Sequence, residues 1–567
     1  GKGIVRTDLY NDIISRSKGN NLNLIHIKDK NKLRSIIRNV FENELGNELP
    51  KLPRKDDFWK KRWLWSVNGA HSLNLEKNEE NYKLGDNVKK LNNIYRKVFF
   101  ENHKNNIFDE WSGTGYFSQS EVLEDGKSRV IYSGDTATYS IFSYYLDYCE
   151  KYWKNKRVIL DPGKGGNYYI REMINNMGHG INIMLDYEKF DQQHTNDAQS
   201  IVMEELVKYL GEKDSCLIEK IKTSFFRSRL FSSGIDYGYS KGTLMSGHRA
   251  TSFINTVLNY CYIEYFYSDF KKMQSIHVGD DVFIKTKSLK EAANIMDTIK
   301  ESKIGMNPMK QSIGAHTIEF LRIAYNKKYA VGYACRSISN FISGNWTTLG
   351  RIKKNEYIQN MIMQMWTLKN RMNNTGIPRL FKNIFFKKIG GDFKRNLCEK
   401  ILDNQVSING SPIYYKLPII ERANIEYIGS AVSKRELNKI KEMDSFATDD
   451  FISSKYKTIE MDILKLYGFN PKQVMISSSY EKSLVTERLD GSMVARLSNF
   501  SREIGRSSTM SNNILRNSIF NKPFFFDKPL LMLFKDKFTE DDLCFILSEY
   551  YKINIGASKA KFFCFGG

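Results

Sequence analysis

The chain has 567 residues and carries 86 Lys and Arg against 64 Asp and Glu, a formal net charge of +22. That length suggests roughly four domain-sized units with ample material for a large core, and the positive excess fits a polyanionic partner. No run of about eighteen apolar residues, no signal-peptide pattern and no prenylation box at the C-terminal CFGG is present, which argues against a membrane partner. The cysteines, Cys149, Cys216, Cys261, Cys335, Cys398, Cys544 and Cys564, show no Cys-x-x-Cys spacing and no paired histidines. Neither a disulfide framework nor zinc or haem is therefore expected, and they read as buried thiols of a reducing compartment.

Residues 1–75 are rich in Lys and Asn with intermittent apolar positions, a pattern of helices and loops. Lys127 and Arg129 alternate along a β-prone stretch and can turn one face toward a triphosphate. Arg157 and Lys164 are weaker candidates for the same role. The Pro-Gly-Lys-Gly-Gly run around Lys164 lacks the Walker spacing and a following Ser or Thr, which excludes an ATPase loop. Ile181–Leu185 is a short apolar run that predicts a buried strand ending at Asp186. Asp191 follows five positions later and needs a turn to return beside it.

Ser246-Gly247 predicts a flexible turn. On the helix expected after it, Thr251 and Asn255 share one face, turned to a nucleotide. Asn255 is suited to hydrogen-bond a ribose 2′-hydroxyl, with Asp191 as partner acceptor. His248 and Arg249 read equally as contacts to template or phosphate and as an exposed polar loop. Ser275–Val278 and Val282–Lys285 are β-prone, and Gly279-Asp280-Asp281 between them reads as a tight hairpin turn with two acids at its tip.

After a predicted helix over Leu289–Ser302, Lys310 can donate a proton to departing pyrophosphate or attract phosphate as a point charge, with Lys303 as its competitor. Glu319–Arg322 with the following Tyr325–Tyr333 stretch predicts a hairpin that either grips a primer strand or serves packing. From about Gly344 onward helices are expected, among them Lys354–Met372 and Lys434–Met443. Arg379, Lys382, Phe385, Phe386, Lys387, Lys388, Lys394 and Arg395 interleave cations with aromatics. That pattern suits either nucleic-acid contact or the solvated face of an amphipathic helix. Loops are expected over residues 477–516, and a last ordered segment near Phe538–Ile553.

A Gly-Asp-Asp turn by itself is a common loop. Following an acid pair and then Ser-Gly-x3-Thr-x3-Asn, it completes the order that template-directed nucleotide transfer requires. That chemistry needs one divalent metal at the primer 3′-hydroxyl and one at the triphosphate. Asp186 and Asp280 are the expected principal ligands of two Mg²⁺ or Mn²⁺ ions, with Asp281 assisting through charge and metal position, and their hard oxygen donors suit these metals.

LDYEKFDQQHT, SGHRATSFINTVLN and HVGDDV resemble motifs A, B and C of viral RNA-dependent RNA polymerases, and their wording is similar to that of totivirus-type double-stranded RNA virus enzymes. WSVNGAHS, GKSRVIYSGDTATYSIF and KRVILDPGKGG upstream, and NPMKQSIG and EFLRIAY downstream, extend the resemblance from about Trp63 to Tyr325. It implies an α+β right-hand fold with a closed hand, a palm built on an antiparallel sheet flanked by helices, and a mainly helical thumb.

The corresponding divisions are an N-terminal extension bridging fingers and thumb over 1–75, fingers over 76–180, palm over 181–192, a fingers insertion over 193–240, palm over 241–335, and thumb with the C-terminal region over 336–567. The resemblance also implies NTPs, an RNA template and RNA product as partners, and a capsid protein fused or tethered to the enzyme. The location it implies is the virion interior in the host cytoplasm. A chain beginning at Gly1 is expected to be part of a longer translation product. Two other readings stay open, a reverse transcriptase and a catalytically inactive RNA-binding or packaging protein. Val278-Gly279 before the acids and the Asn255 arrangement favour ribonucleotide chemistry.

Overall fold

The computed structural model describes residues 6–343, except 21, 90, 92, 125–126, 164–165 and 317, and beyond them parts of 363–384, residues 395–403, 405–408, 419–428, 443–455, 470–484, 494–504 and 548. The amino-terminal segment contributes two capped helices. Asp8 accepts from the Asn11 N–H to open Leu9–Lys18, and Gly19 closes that helix at φ +78°. In Lys30–Glu44, Leu33, Ile36, Ile37, Val40 and Phe41 fall on one face and are buried. That face packs on the helices Asn196–Tyr209 and Thr251–Phe266, and this apolar contact is the reason a Lys- and Asn-rich segment is held against the rest of the chain.

Two four-stranded sheets frame the centre. In the first, β1 (Gly115–Glu124) and β2 (Lys127–Gly134) form an antiparallel hairpin, and β4 (Ser228–Ser232) joins β1 in parallel with β5 (Ile235–Tyr239) at the edge. The second has the order β6-β7-β3-β8, from β3 (Ile181–Asp186), β6 (Gln274–Val278), β7 (Asp281–Thr286) and β8 (Ser312–Gly314), all antiparallel. Four consecutive residues of β3, Asn182 to Leu185, are buried, as expected for a strand covered on both faces, and the polar Asn182 among them accepts from Lys285 Nζ. The Leu289–Glu301 helix, capped by Ser288, packs on β3 and β7.

The expected Glu319–Tyr333 hairpin is instead a three-stranded antiparallel sheet of β9 (Glu319–Phe320), β10 (Ile323–Tyr325) and β11 (Ala330–Gly332). Further along, the mainly helical expectation is incomplete. Beside the helices Arg395–Leu402, Phe446–Lys455 and Pro471–Leu484 stands a sheet of β12 (Val406–Ile408), β13 (Ile419–Ile428) and β14 (Val494–Ile504). The loops expected over 477–516 are, where described, the end of a helix and β14. The expected Lys434–Met443 helix, but for its last residue, lies outside the described residues, as do residues 385–394, Lys164, all of Phe538–Ile553 but Ser548, and much of Lys354–Met372.

Helices from the far end of the chain dock on its beginning through polar contacts that sequence patterning does not reveal. Glu101, fully buried, accepts from the Thr448 N–H at 3.0 Å, the Thr448 hydroxyl at 2.6 Å and the Ser479 hydroxyl at 2.7 Å. Arg62 pairs with Asp450 and Trp63 Nε1 donates to Ser479. Among the described residues no helix is long and apolar enough to cross a membrane.

Candidate active site

The register of β3 against β7 sets Asp186 directly opposite Asp281, and that of β6 against β7 sets Val278 opposite Asp281. Only Gly279 and Asp280 then remain to form the turn. Gly279 takes φ +59°, the conformation a two-residue hairpin turn needs at its first position and Gly adopts without strain. Asp280 is therefore the exposed acid at the tip, whereas Asp281 is already a strand residue facing Asp186. The expectation of two acids at the tip is corrected by one position.

The Thr251–Phe266 helix grips this turn through its backbone. The Gly279 N–H donates to Thr256 Oγ1 at 3.0 Å, and Asn259 Nδ2 donates to the carbonyls of Gly279 at 2.9 Å and Asp281 at 3.3 Å. Asn259 Oδ1 is engaged in turn by the Tyr187 hydroxyl and by His277 Nδ1, at 3.2 and 3.0 Å. Sequence reading stopped at Asn255. The signal it passed over is the second asparagine four residues on, one helical turn along the same face.

Burial, then the charges of Asp280 and Asp186, push the Asp281 carboxyl up to about 7, while Arg322 and Lys310 pull the other way. Lys310 lies across this acidic group, with Nζ 3.1 and 3.3 Å from the Asp186 carboxylate oxygens. Its segment is anchored on the same residue, since the Asn307 N–H and Gln311 Nε2 both donate to the Asp186 carbonyl. Among the described residues no three acid, His or Cys side chains converge as a ready metal cage. A carboxylate pair with a third acid beside it still suits Mg²⁺ or Mn²⁺, because Mg²⁺ characteristically takes one or two carboxylates and completes its shell with water and substrate phosphates. Burial first, and then the repulsion from Asp280 and Asp186, disfavour the Asp281 carboxylate, and a bound cation would relieve both.

The upward shift has a measurable sign. Because its pKa is raised in the folded state, Asp281 contributes stability below its unfolded value near pH 4, and the contribution is lost as pH rises through about 7. In EDTA, Asp281→Asn is expected to gain about 1–3 kcal/mol of stability relative to wild type between pH 5 and pH 8. Adding Mn²⁺ should raise wild type more than the variant. A stability difference between variant and wild type that is the same at both pH values would remove the raised Asp281 pKa.

Asp191 lies in a short 3₁₀ turn, Phe190–Gln193, entered through Lys189 at φ +48°. Its carboxylate is 3.6 Å from the buried Arg16 guanidinium, which opposes the upward push of burial. Arg16 also donates to the Thr243 hydroxyl at 2.9 Å and lies over the Tyr132 ring. Nothing in the sequence links the first helix to Asp191, so Arg16 was missed. Asn255 Oδ1 is 2.7 Å from His194 Nε2, a second residue that was passed over although it stands only three positions after Asp191.

Ser246-Gly247 is docked on β2 and is no flexible turn. Ser246 Oγ accepts from the Tyr132 N–H, the Gly247 N–H donates to the Tyr132 carbonyl, and Gly247 forms a parallel bridge with Ser133. A Cβ at 247 would meet the Tyr132 oxygen at 2.2 Å. Glycine is required here for close approach, not for conformational freedom. Thr251 does not turn its hydroxyl to a nucleotide. It bonds the carbonyls of Met245 and His248 at 2.6 and 2.8 Å and so closes the loop onto the helix.

Of the basic candidates, Lys127 opens β2 and Arg129, two residues on, is exposed. Arg157 is folded inward over Tyr260 and Phe270 and bonds Ser275 Oγ and the Phe270 carbonyl, so it braces the sheet and does not reach for phosphate. His248 is buried among Phe117, Phe142 and Phe225, its imidazole held down at about 3 by that burial. Arg249 is paired with Asp147 and Glu150. Neither is the exposed loop residue or template contact considered for it.

The profile of the family described as viral RNA-directed RNA-polymerase matches residues 1–346. A probable RNA-directed RNA polymerase of Helminthosporium victoriae virus-190S is 32% identical over 510 residues, 89% of this chain and 59% of that protein. One from Leishmania RNA virus 1 - 1 is also 32% identical, over 88% of this chain and 56% of its own length. The RNA-dependent RNA polymerase of a human picobirnavirus, as an insertion-loop deletion mutant, aligns at TM-score 0.42 and 14% identity over 70% of this chain and 82% of that structure. The chain belongs to the viral RNA-directed RNA-polymerase family, in the totivirus-like group that its three motifs resemble. It spans somewhat more than half the length of these two curated relatives.

Proposed function

We propose that this chain joins ribonucleotides to an RNA 3′-hydroxyl under the direction of an RNA template, serving replication and transcription of a double-stranded RNA genome. The observation that carries the reading is the Asp186–Asp281 pair with Asp280 at the adjoining turn, held by Asn259, with Asp191 near enough to Asp280 for their charges to interact and Asn255 bonded to His194, three residues after Asp191. Asp186, Asp280 and Asp281 would hold two Mg²⁺ or Mn²⁺ ions, which when bound supply an activated 3′-hydroxyl and neutralise the departing pyrophosphate. Asn255 and Asp191 bind the ribose 2′-hydroxyl and so select NTPs over dNTPs. Lys127 and Arg129 draw in the triphosphate. Ser246 and Gly247 position the loop that leads into the Asn255 helix.

Lys310, within hydrogen-bond reach of Asp186, protonates the leaving pyrophosphate in this reading. Lys310→Leu is expected to slow single-turnover incorporation by about 10²-fold with a smaller change in NTP binding; equal catalytic rates would remove that role. In this reading residues 76–180 and 193–240 act as fingers, 181–192 and 241–335 as palm, 336–567 as thumb and C-terminal region, and 1–75 as the bridge between fingers and thumb. A capsid protein, fused or tethered, and a location inside the virion in the host cytoplasm complete it. The deciding experiment is incorporation of NTPs and dNTPs on defined single- and double-stranded RNA, with and without primer, across Mg²⁺ and Mn²⁺ titrations. RNA binding with no product under any of these conditions would favour a packaging protein, and preference for dNTPs a reverse transcriptase.

A further inference from the structure

We propose that His194 and Tyr262 set which end of the Asn255 amide is offered to the nucleotide sugar, which makes them positioning residues for ribose selection. The inference rests on the polymerase reading above. His194 directly follows the turn that carries Asp191, and its ring is fully buried, edge-on to Phe190 with centroids 4.5 Å apart. Nε2 lies 2.7 Å from Asn255 Oδ1, and Nδ1 lies 3.2 Å from the Tyr262 hydroxyl. Burial holds this imidazole neutral, with its pKa lowered to about 4. A neutral ring has one N–H and one lone pair, so one contact is donated by the ring and the other accepted.

Tyr262 decides which. Its hydroxyl is fully buried, and among the described residues its hydrogen-bond partner is His194 Nδ1. Were Nδ1 the donor, the phenol hydrogen would be left without an acceptor in an apolar interior, the arrangement that buried polar groups avoid. The phenol therefore donates to Nδ1, Nε2 carries the hydrogen, and the Asn255 atom it meets is the carbonyl oxygen. Asn255 Nδ2 is left as the free end, on a residue that is only partly buried.

The polarity matters for the sugar. A 2′-hydroxyl has one hydrogen to give and lone pairs to receive, so it is bound best between one donor and one acceptor. With Nδ2 outward, Asn255 donates and Asp191 accepts. With the amide reversed, both residues would present acceptors to a single hydrogen, and the site would lose its advantage over a deoxyribose.

The test compares kcat/KM for ATP and dATP on a primed RNA template in wild type, His194→Leu and Tyr262→Phe, the second a near-isosteric change that spares packing. The expected result is an ATP-to-dATP preference reduced about 10-fold in His194→Leu and several-fold in Tyr262→Phe, from loss on ATP with dATP nearly unchanged. Equal losses on both nucleotides, the mark of a merely structural role, would overturn the inference while leaving the polymerase reading intact. Absence of incorporation by wild type would overturn both. Independently of activity, ¹⁵N-histidine NMR is expected to show His194 as the Nε2–H tautomer, identified by the signal lost in His194→Leu. An Nδ1–H tautomer there overturns the inference.

Discussion

Asp280→Ala is expected to reduce metal-dependent nucleotide incorporation by about 10³-fold or more, equivalent to some 4 kcal/mol of transition-state stabilisation. The reason is geometric as well as electrostatic. Asp280 stands at the tip of a two-residue turn whose backbone directions are set by Gly279 and by the Asn259 hydrogen bonds to the carbonyls of Gly279 and Asp281. Its carboxylate is the part of that turn left free to meet a cation. Because Asn259 and Thr256 hold the backbone and not the Asp280 side chain, alanine should leave the hairpin folded. The change in stability at this exposed position is expected to stay within about 0.5 kcal/mol. Loss of Asp280 also removes one of the charges that raise Asp281. Primer extension with Mn²⁺, paired with a thermal melt, separates the outcomes. A tenth or more of wild-type activity in a folded variant would remove Asp280 from the candidate metal site.

Gly247→Ala carries the second large effect, and by a different route. The added methyl would meet the Tyr132 carbonyl oxygen at 2.2 Å, a backbone atom that cannot rotate away. Relief requires the loop to leave β2, which breaks the Gly247 N–H bond to Tyr132 and the Ser246 Oγ contact with the Tyr132 N–H. The same loop runs straight into the helix whose Asn255 is the proposed ribose contact and whose Thr256 and Asn259 hold the Gly-Asp-Asp turn. A displacement of about 1 Å there can cost some 10²-fold in rate. We therefore expect kcat to fall by about 10²-fold with a loss of about 1–3 kcal/mol in stability. Gly247→Ala with wild-type kcat would show that the close approach to β2 is not what positions the helix.

These expectations divide according to what the linear chain can express. Asp186 was legible because a short, mostly apolar run ended in an acid, and the Gly279 turn because β-prone segments flanked a residue able to take positive φ. Asp191, Asn255 and the totivirus-like kinship were legible because their spacing is local. Readings of side-chain direction did not all survive. Thr251 spends its hydroxyl on the turn that starts its own helix, and Arg157 lies over aromatic rings. Residue type showed that each could meet a phosphate or sugar, but direction is decided by the partners that packing brings up.

By itself, then, the amino-acid sequence determined most local elements around the acids, the order of the acids and the family, because hydrophobic period, turn propensity and carboxylate identity act over a few residues. Tertiary structure alone decided that Asp281 and not the tip faces Asp186, that Arg16 reaches Asp191, that Asn259 holds the turn and that His194 meets Asn255. The first is a matter of strand register, and the others are hydrogen bonds or an ion pair whose energy falls off within a few ångströms; register and helix packing, not spacing along the chain, bring such groups into reach.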